Sequence, residues 1–250
     1  MPTIAVIVPC YNEANRMRIS EFISFANKHP EVQFYFANDG STDNTENLLL
    51  QMQQASPVKI ISSKKNYGKA EAIRKGLIAA INDGHENVGY LDADLSTELE
   101  EFLRLKNILD EKRLDIVLGS RIKKIDTIIE RSFFRHIVGR VIATIIDQRF
   151  KLGVYDTQCG AKIFRSAIIK NMLDVNFYTK WFFDVELLLR IKEQNTYFAA
   201  EEVPLSKWQN VQNSKLSILS FPSVLKDLYK RIPYPRLHIA MKWVAQVEVG

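Results

Sequence analysis

Cysteine is scarce in this chain of 250 residues, which carries only Cys10 and Cys159. Two thiols cannot form the framework of a small disulfide-rich protein, and they are too few for a zinc site built from thiolates. The four histidines are scattered along the chain without the spacing of metal ligands. We therefore expect a protein of a reducing compartment, the cytosol.

Long hydrophobic runs are also missing. A membrane-spanning helix needs about 18–20 predominantly apolar residues, and the richest candidate, residues 128–146, is interrupted by acidic, basic and histidine side chains. The opening segment MPTIAVIVP has no basic region and is typical of a strand, not of a signal peptide. The sequence thus predicts no integral anchor, so any contact with a membrane would be peripheral.

The composition is that of an ordinary globular protein, with 46% hydrophobic and 25% charged residues. There is no internal repeat, low-complexity tract or linker rich in Pro, Gly or Ser. We expect one domain at residues 1–215 and a basic, aromatic extension at 216–250 that packs on the domain, a partner or a membrane surface. The net charge is 34 − 29 = +5, but the basic residues lack the aromatic interleaving of RNA-binding modules, which disfavours nucleic acid as a partner.

Strand and helix signals alternate through the first half of the chain. This alternation predicts an α/β fold of the Rossmann-like, doubly wound type, with a mostly parallel sheet and helices on both faces. Thr97 followed by Glu100 predicts a capping box at the start of a helix that runs to about Glu111. The β-branched runs that we interpret as strands are Thr3–Val8, Val32–Ala37, Val58–Ile61, Val88–Leu91 and Asp115–Leu118, and Lys69–Asp83 is a helix-like segment between two of them.

The second half of the chain is less regular. Its pattern predicts a helix at Ile128–Gln148, a loop leading into a strand at Asp156–Phe164, and an amphipathic helix at Phe182–Gln194. A short strand at Tyr197–Val203 and a last helix near Ile218–Arg231 follow.

Acidic side chains follow three of the predicted strands. Glu13 comes after the first strand, Asp39 after the second, and Asp92 and Asp94 after the fourth. Ligands of parallel sheets bind at the carboxyl ends of the strands, so these carboxylates are expected at one edge. Each could separately be a turn or cap residue. Together they would repel one another unless a cation or ligand hydroxyls occupied the space.

The sequence Asp92-Ala93-Asp94 is the sharpest of these signals. In a strand, two such carboxylates point to the same side, and hard oxygen ligands suit Mg²⁺ or Mn²⁺ bound to substrate phosphates. The alternative interpretation is a pair of acids at a helix amino terminus, where the macrodipole favours them.

Further motifs accompany this pair in a fixed order. They are PCYNE, NDGSTDNT, NYGKAEAIRKG, DADLS, GSR, DTQCGAKIF and WFFDVELLLR. The chain in this respect resembles the family 2 glycosyltransferases of the GT-A fold, over roughly Thr3 to Lys215. Within that family it is most similar to the polyprenyl-phosphate branch, and DTQCGAKIF with FDVELL resembles the dolichyl-phosphate glucosyltransferase type.

The resemblance implies a role for each matching residue. It places Pro9, Tyr11 and Glu13 at the nucleotide base, and Asp39 at the base or the ribose. Lys69 and Arg74 would lie beside the donor, and Asp156 and Gln158 over the donor sugar. A Mg²⁺ or Mn²⁺ ion would be bound by Asp92, Asp94 and Ser96. Asp184 aligns with the base of relatives that glycosylate hydroxyl groups. The residues expected to carry the chemistry are Asp94, Asp156, Asp184 and Arg121.

A phosphate acceptor is chemically plausible on independent grounds. A phosphomonoester is largely a dianion at neutral pH and can attack an anomeric carbon without the general base that a hydroxyl needs. Arg121 is placed to hold such a phosphate, and Arg131 and Arg135 share one face of the helix predicted after it. Arg131 and Arg135 could instead lie beside the core or pair with Glu130 and Asp147. Lys215 matches a family position near the acceptor.

The resulting hypothesis is an inverting, metal-dependent hexosyltransferase. Its donor would be UDP-glucose, its acceptor a polyprenyl phosphate, and its location the cytoplasmic membrane surface, reached peripherally or through an integral partner. One alternative is a family 2 enzyme that uses a sugar or lipid hydroxyl with Asp184 as base. Another is a nucleotide-sugar-binding or scaffold protein without turnover. A sugar nucleotidyltransferase is disfavoured because PCYNEANR is not the Gly-rich loop of such enzymes.

Overall fold

A computed structural model of the chain describes residues 3–123, 125, 127–130, 133–195 and 197–209. The strands are β1 (Ile4–Cys10), β2 (Val32–Asn38), β3 (Lys59–Ser62), β4 (Asn87–Leu91), β5 (Ile116–Ser120), β6 (Ile128–Glu130), β7 (Ala161–Arg165), β8 (Ala200–Pro204) and β9 (Lys207–Gln209). The helices are α1 (Ile19–Lys28), α2 (Thr45–Ala55), α3 (Lys69–Asn82), α4 (Leu99–Glu111), α5 (Phe133–Phe150), α6 (Ser166–Ile169) and α7 (Phe183–Gln194).

Seven of these strands form one sheet in the order β3-β2-β1-β4-β7-β5-β8. All neighbouring pairs are parallel except those of β7, which runs antiparallel to both β4 and β5. Gly89 of β4 faces Ile163 of β7 in this register. The insertion of β7 brings the segment that precedes it, DTQCG, to the carboxyl ends of β4 and β5.

The inner strands are buried on both faces, as a parallel sheet between two helix layers requires. Side chains alternate along β1, so Val6 packs in one core with α1, α2 and α4, while Ile7 packs in the other with α3 and α7. Phe22 of α1 and Leu77 of α3 mark the two cores. The predicted doubly wound, mostly parallel α/β fold is therefore confirmed.

Two predictions of local structure are wrong. Helix α4 begins at Leu99 with Glu98 as its N-cap and without a side-chain capping bond, so Thr97 and Glu100 form no capping box. The segment Ile128–Glu130 is a strand, not the first turn of a helix, because it pairs in parallel with β9, and α5 begins only at Phe133. That pairing partner lies almost 80 residues further along the chain, beyond the reach of local periodicity.

Within the described ranges, none of the helices combines the length and the apolar character needed to span a bilayer. The predicted helix near Ile218–Arg231 and the extension at 216–250 lie outside the described residues.

Candidate active site

The loops after β1 and β2 are tied together by polar contacts at the carboxyl edge of the sheet. The backbone amide of Asn12 donates to Ser41 Oγ (3.0 Å), and the amide of Glu13 donates to Thr45 Oγ1 (2.8 Å). The buried Glu13 carboxylate accepts bonds from Arg16 Nη2 at 2.6 Å. These contacts fix the backbone of the loop that carries Tyr11 and Glu13, which are expected at the nucleotide base together with Pro9 near the end of β1.

Asp39 holds the entrance to α3. Its buried carboxylate accepts the backbone amides of Tyr67 (2.9 Å) and Gly68 (2.6 Å), which immediately precede that helix. The following residue, Gly40, has φ +66° and lies so close to the Lys65 backbone that a Cβ there would overlap it. The predicted ligand of base or ribose is thus also an anchor between two loops.

Asp92 and Asp94 lie in a turn and not in a strand, since β4 ends at Leu91. The alternation argument for their common orientation is therefore wrong. Asp92 Oδ1 accepts a bond from Lys69 Nζ at 2.6 Å, and Asp94 Oδ1 accepts the backbone amide of Ser96 at 3.0 Å. Burial alone would lower the pKa of Lys69, but the charges of Asp92, Asp184 and Asp94 raise it above its ordinary value. The ammonium group of Lys69 thus interacts electrostatically with three carboxylates at this site.

The donor set of this turn fits a hard divalent cation. Both carboxylates are half-buried, and Asp92 already attracts the ammonium group of Lys69. The part of the chain that the structure describes contains no group of three or more His, Cys, Asp or Glu side chains placed to hold a metal ion. A metal here would be held by Asp92 and Asp94, with further ligands from the donor diphosphate.

Arg121 and Asp156 form a bidentate pair at the end of β5. Arg121 Nε and Nη2 donate to the two Asp156 oxygens at 2.7 Å each, and the Arg121 backbone amide adds a third bond at 3.0 Å. Burial would lower the pKa of Arg121, but the Asp156 charge raises it well above its usual range. The Trp208 ring lies 5.5 Å from the guanidinium. Arg121 therefore combines a fixed orientation with a permanent charge.

Asp184, the candidate base, is buried at the start of α7. Its Oδ1 accepts bonds from Lys162 Nζ (2.6 Å) and from the hydroxyl of Tyr90. Lys162 has no exposed surface, and its Nζ also donates to the Cys159 carbonyl at 2.5 Å. Burial and the Asp184 charge raise the pKa of Tyr90 far above its ordinary value, so the phenol stays protonated. Asp184 is thus an ion-pair partner inside the protein.

Lys162 and Tyr90 were missed in the sequence analysis. A signal for Lys162 does exist, since a lysine between Ala161 and Ile163 is unexpected in a buried strand. Tyr90 carries no such signal, because tyrosine is common in sheets.

The structure gives different outcomes for the remaining candidate site residues. Arg74 binds Glu71 of the same helix and the Leu173 carbonyl, which are structural contacts. Gln158 has a buried Nε2 without a hydrogen-bond partner in the described structure, and its contact with the donor sugar stays a prediction. Arg131, Lys215 and the side chain of Arg135 lie outside the described residues, and their acceptor role stays a prediction.

Comparison with known proteins gives one family. The family model described as glycosyl transferase family 2 matches residues 5–173. The chain is 29% identical to the dolichyl-phosphate beta-glucosyltransferase of Dictyostelium discoideum, over 87% of this chain and 69% of that protein. It is 27% identical to the enzyme of the same name from Saccharomyces cerevisiae, over 90% of this chain and 72% of that protein.

Solved structures show the same fold. Glucosyl-3-phosphoglycerate synthase from Mycobacterium tuberculosis, crystallised with Mn²⁺, UDP and glucosyl-3-phosphoglycerate, superposes with a TM-score of 0.66 at 20% identity, covering 93% of this chain and 81% of that chain. Mannosyl-3-phosphoglycerate synthase from Rubrobacter xylanophilus gives a TM-score of 0.67 at 16% identity, with coverages of 92% and 74%.

Proposed function

The chain belongs to glycosyltransferase family 2, and from this membership we propose that it transfers a hexose from a nucleotide sugar to a polyprenyl phosphate. The expected donor is UDP-glucose. The relatives named dolichyl-phosphate beta-glucosyltransferase support this choice, since they match most of the chain. The structural neighbour crystallised with UDP supports a uridine nucleotide through the shared fold alone.

The carboxyl edge of the sheet would bind the donor. The joined loops after β1 and β2 lie where Rossmann-like sheets bind nucleotides, and Asp92 and Asp94 follow β4 at the same edge. A Mg²⁺ or Mn²⁺ ion held there would neutralise the charge of the leaving diphosphate. Lys69, bound to Asp92, supplies a second positive charge at this position.

The contacts of Asp184 are the observation that decides between a phosphate and a hydroxyl acceptor. A general base for a hydroxyl must reach the proton that it abstracts and be free to accept it. Asp184 is buried, and its Oδ1 is engaged by the ammonium group of Lys162 and by the hydroxyl of Tyr90. The oxygen that would take up the proton is therefore already occupied by two donors. A phosphate dianion needs no base, so the pairing of Asp184 favours a phosphate acceptor over a hydroxyl.

The bond changes follow from this choice. An oxygen of the acceptor phosphate attacks the anomeric carbon from the face opposite the diphosphate. A carbon–oxygen bond forms there while the bond to the diphosphate breaks, and the nucleoside diphosphate leaves with the electron pair. Arg121 can hold the incoming phosphate through the N–H groups that Asp156 leaves unused. The anomeric configuration inverts, giving a β-linked product from an α-linked donor.

We place this reaction at the cytoplasmic surface of a membrane. A polyprenyl chain is insoluble in water, so the enzyme has to bind its second substrate at a bilayer. The predicted contacts are Arg131, Arg135, Lys215 and the basic extension at 216–250, with an integral membrane protein as a further possible partner.

The test is incubation of the full chain with Mn²⁺, radiolabelled nucleotide sugars and a short-chain polyprenyl phosphate, followed by lipid extraction. Glucose from UDP-glucose should enter the lipid phase as an acid-labile product. The free polyprenol and an alkyl glucoside serve as hydroxyl controls and should remain unlabelled. Labelling of a hydroxyl acceptor alone would favour the alternative with Asp184 as base, and UDP binding without any product would favour a non-catalytic protein.

A further inference from the structure

Lys162 is a lysine without exposed surface in the middle of the sheet. A charged side chain is rarely fully buried unless it is paired and hydrogen-bonded, because its removal from water is costly. The ion pair with Asp184 satisfies part of this requirement. A second hydrogen bond of the ammonium group indicates a further role for this lysine.

That second contact is made to the loop that leads into β7. Lys162 Nζ donates to the carbonyl of Cys159 at 2.5 Å, and the ammonium lies 5.4 Å from the ring of Tyr90. The lysine therefore joins the loop to α7, through Asp184, and to β4, through Tyr90. We call residues 156–160 the donor loop.

Both ends of the donor loop are held. Arg121 binds the carboxylate of Asp156 at its first residue, and Lys162 binds the carbonyl of Cys159 near its end. Between the second anchor and β7 lies Gly160, whose backbone touches the carboxylate of Asp92 so closely that a Cβ would overlap Oδ2. The position of the donor loop thus limits the orientations open to Asp92.

We propose that Lys162 is a positioning residue for donor binding. It fixes the donor loop against α7 and β4, and the loop in turn keeps the Asp92 carboxylate oriented toward the donor diphosphate. The identity of this ligand rests on the proposed function. The effect of Lys162 on the reaction is indirect, through the Cys159 carbonyl and the Gly160 backbone.

The test compares the full-length wild type with Lys162→Met and with the double variant Lys162→Met/Asp184→Asn. Methionine keeps the length of the side chain without its charge. The single variant leaves a buried carboxylate unpaired and should lower the urea midpoint. The double variant removes both charges and should recover most of that loss. In both variants the Kd for UDP with Mn²⁺, measured by calorimetry, should rise about tenfold or more, as should the donor KM.

The acceptor KM of the Lys162 variants should change by less than about twofold, because Arg121 keeps its own pair with Asp156.

The matched control is Glu186→Gln/Arg190→Met, which removes another buried ion pair of α7 (2.5 Å). Arg190 also contacts the carbonyls of residues 172, 175 and 176 and the rings of Phe177 and Tyr178, none of which belongs to the donor loop. This control should lower the urea midpoint and leave the Kd for UDP unchanged.

Two results would overturn the inference. One is a double variant that binds UDP with the wild-type Kd. The other is a control that weakens UDP binding as much as the Lys162 variants do, since the Kd would then report general loss of stability. A wild type that binds UDP but labels no polyprenyl phosphate would reject the acceptor of the proposed function, while the comparison of Kd values would still decide the role of Lys162.

Discussion

At the scale of single residues, three acids of the site pair with basic side chains of the same protein. Lys69 pairs with Asp92, Arg121 with Asp156, and Lys162 with Asp184. Of the carboxylates whose mutual repulsion the sequence predicted, Glu13 pairs with Arg16 and Asp92 with Lys69, whereas Asp39 and Asp94 accept backbone amides. The repulsion is therefore relieved in part within the chain.

Asp94 is the acid with the fewest structural duties. In the described structure its carboxylate accepts the Ser96 amide, so Asp94→Ala should leave the urea midpoint nearly unchanged. We expect kcat/KM to fall about 10²–10³-fold, as for the removal of a group that stabilises transition-state charge. Transfer assays with saturating Mn²⁺ measure this. Asp174→Ala, at an exposed position, is the control, and full activity of Asp94→Ala would refute the metal assignment.

Gly160 tests the contact between the donor loop and Asp92. In Gly160→Ala the new Cβ would overlap the Asp92 carboxylate, which can rotate toward solvent because it is half-exposed. We expect activity to fall about tenfold or more, while the free energy of unfolding changes by no more than about 1 kcal/mol, the value of an exposed ion pair.

The control for Gly160 is Gly84→Ala. Gly84 has φ +87° and open space around it, so the substitution strains the backbone by about 1–2 kcal/mol but should not alter transfer. Unchanged activity in Gly160→Ala would contradict the close contact.

At the scale of elements, the start of α3 depends on a carboxylate from another loop. Asp39 accepts the amides of Tyr67 and Gly68, which no residue within the helix can satisfy. The sequence motif NDGST indicated a turn and a ligand, but the spacing along the chain carries no information on this contact. Ligation of base or ribose by Asp39 stays a prediction beside its structural role.

Asp39→Asn should therefore destabilise the fold by about 2 kcal/mol, the value of hydrogen bonds to a buried charge. Urea unfolding measures this free energy. Asp83→Asn is the matched control at the other end of α3. Asp83 binds Lys59 and Tyr35, but it is largely exposed and should cost less than about 1 kcal/mol. Equal losses in the two variants would argue against the anchoring role.

At the scale of the whole molecule, the charges that make up the net charge of +5 are unevenly distributed. Acids gather at the carboxyl edge of the sheet, whereas Lys226, Lys230 and Arg231 lie in the extension outside the described residues. The proposed nucleotide site lies at one edge of the sheet. Under the proposed function, access to a lipid acceptor would depend on a surface that attracts anionic membranes.

We expect the triple variant Lys226→Gln/Lys230→Gln/Arg231→Gln to bind anionic vesicles about 100-fold less tightly. Each basic residue near such a surface contributes about 1 kcal/mol. Co-sedimentation with phosphatidylserine-containing vesicles at low salt measures the difference, which should shrink as salt rises.

The control for this variant is the neutralisation of Lys28, Lys59 and Lys112, which are exposed in the described domain. It should retain vesicle binding. An equal loss in both triple variants would mean that binding follows net charge and not the extension.

The sequence by itself determined the fold class, the family and the strands after which Glu13, Asp39, Asp92 and Asp94 follow, because hydrophobic periodicity and short motifs are local properties. Only the tertiary structure decided which residues pair across the site. Tyr90, Asp184 and the segment 159–162 come from separate stretches of the chain, and their contact arises from the antiparallel insertion of β7 between β4 and β5. The strand Ile128–Glu130 was misread for the same reason, since a β-strand is completed by a partner whose position in the chain local sequence does not encode.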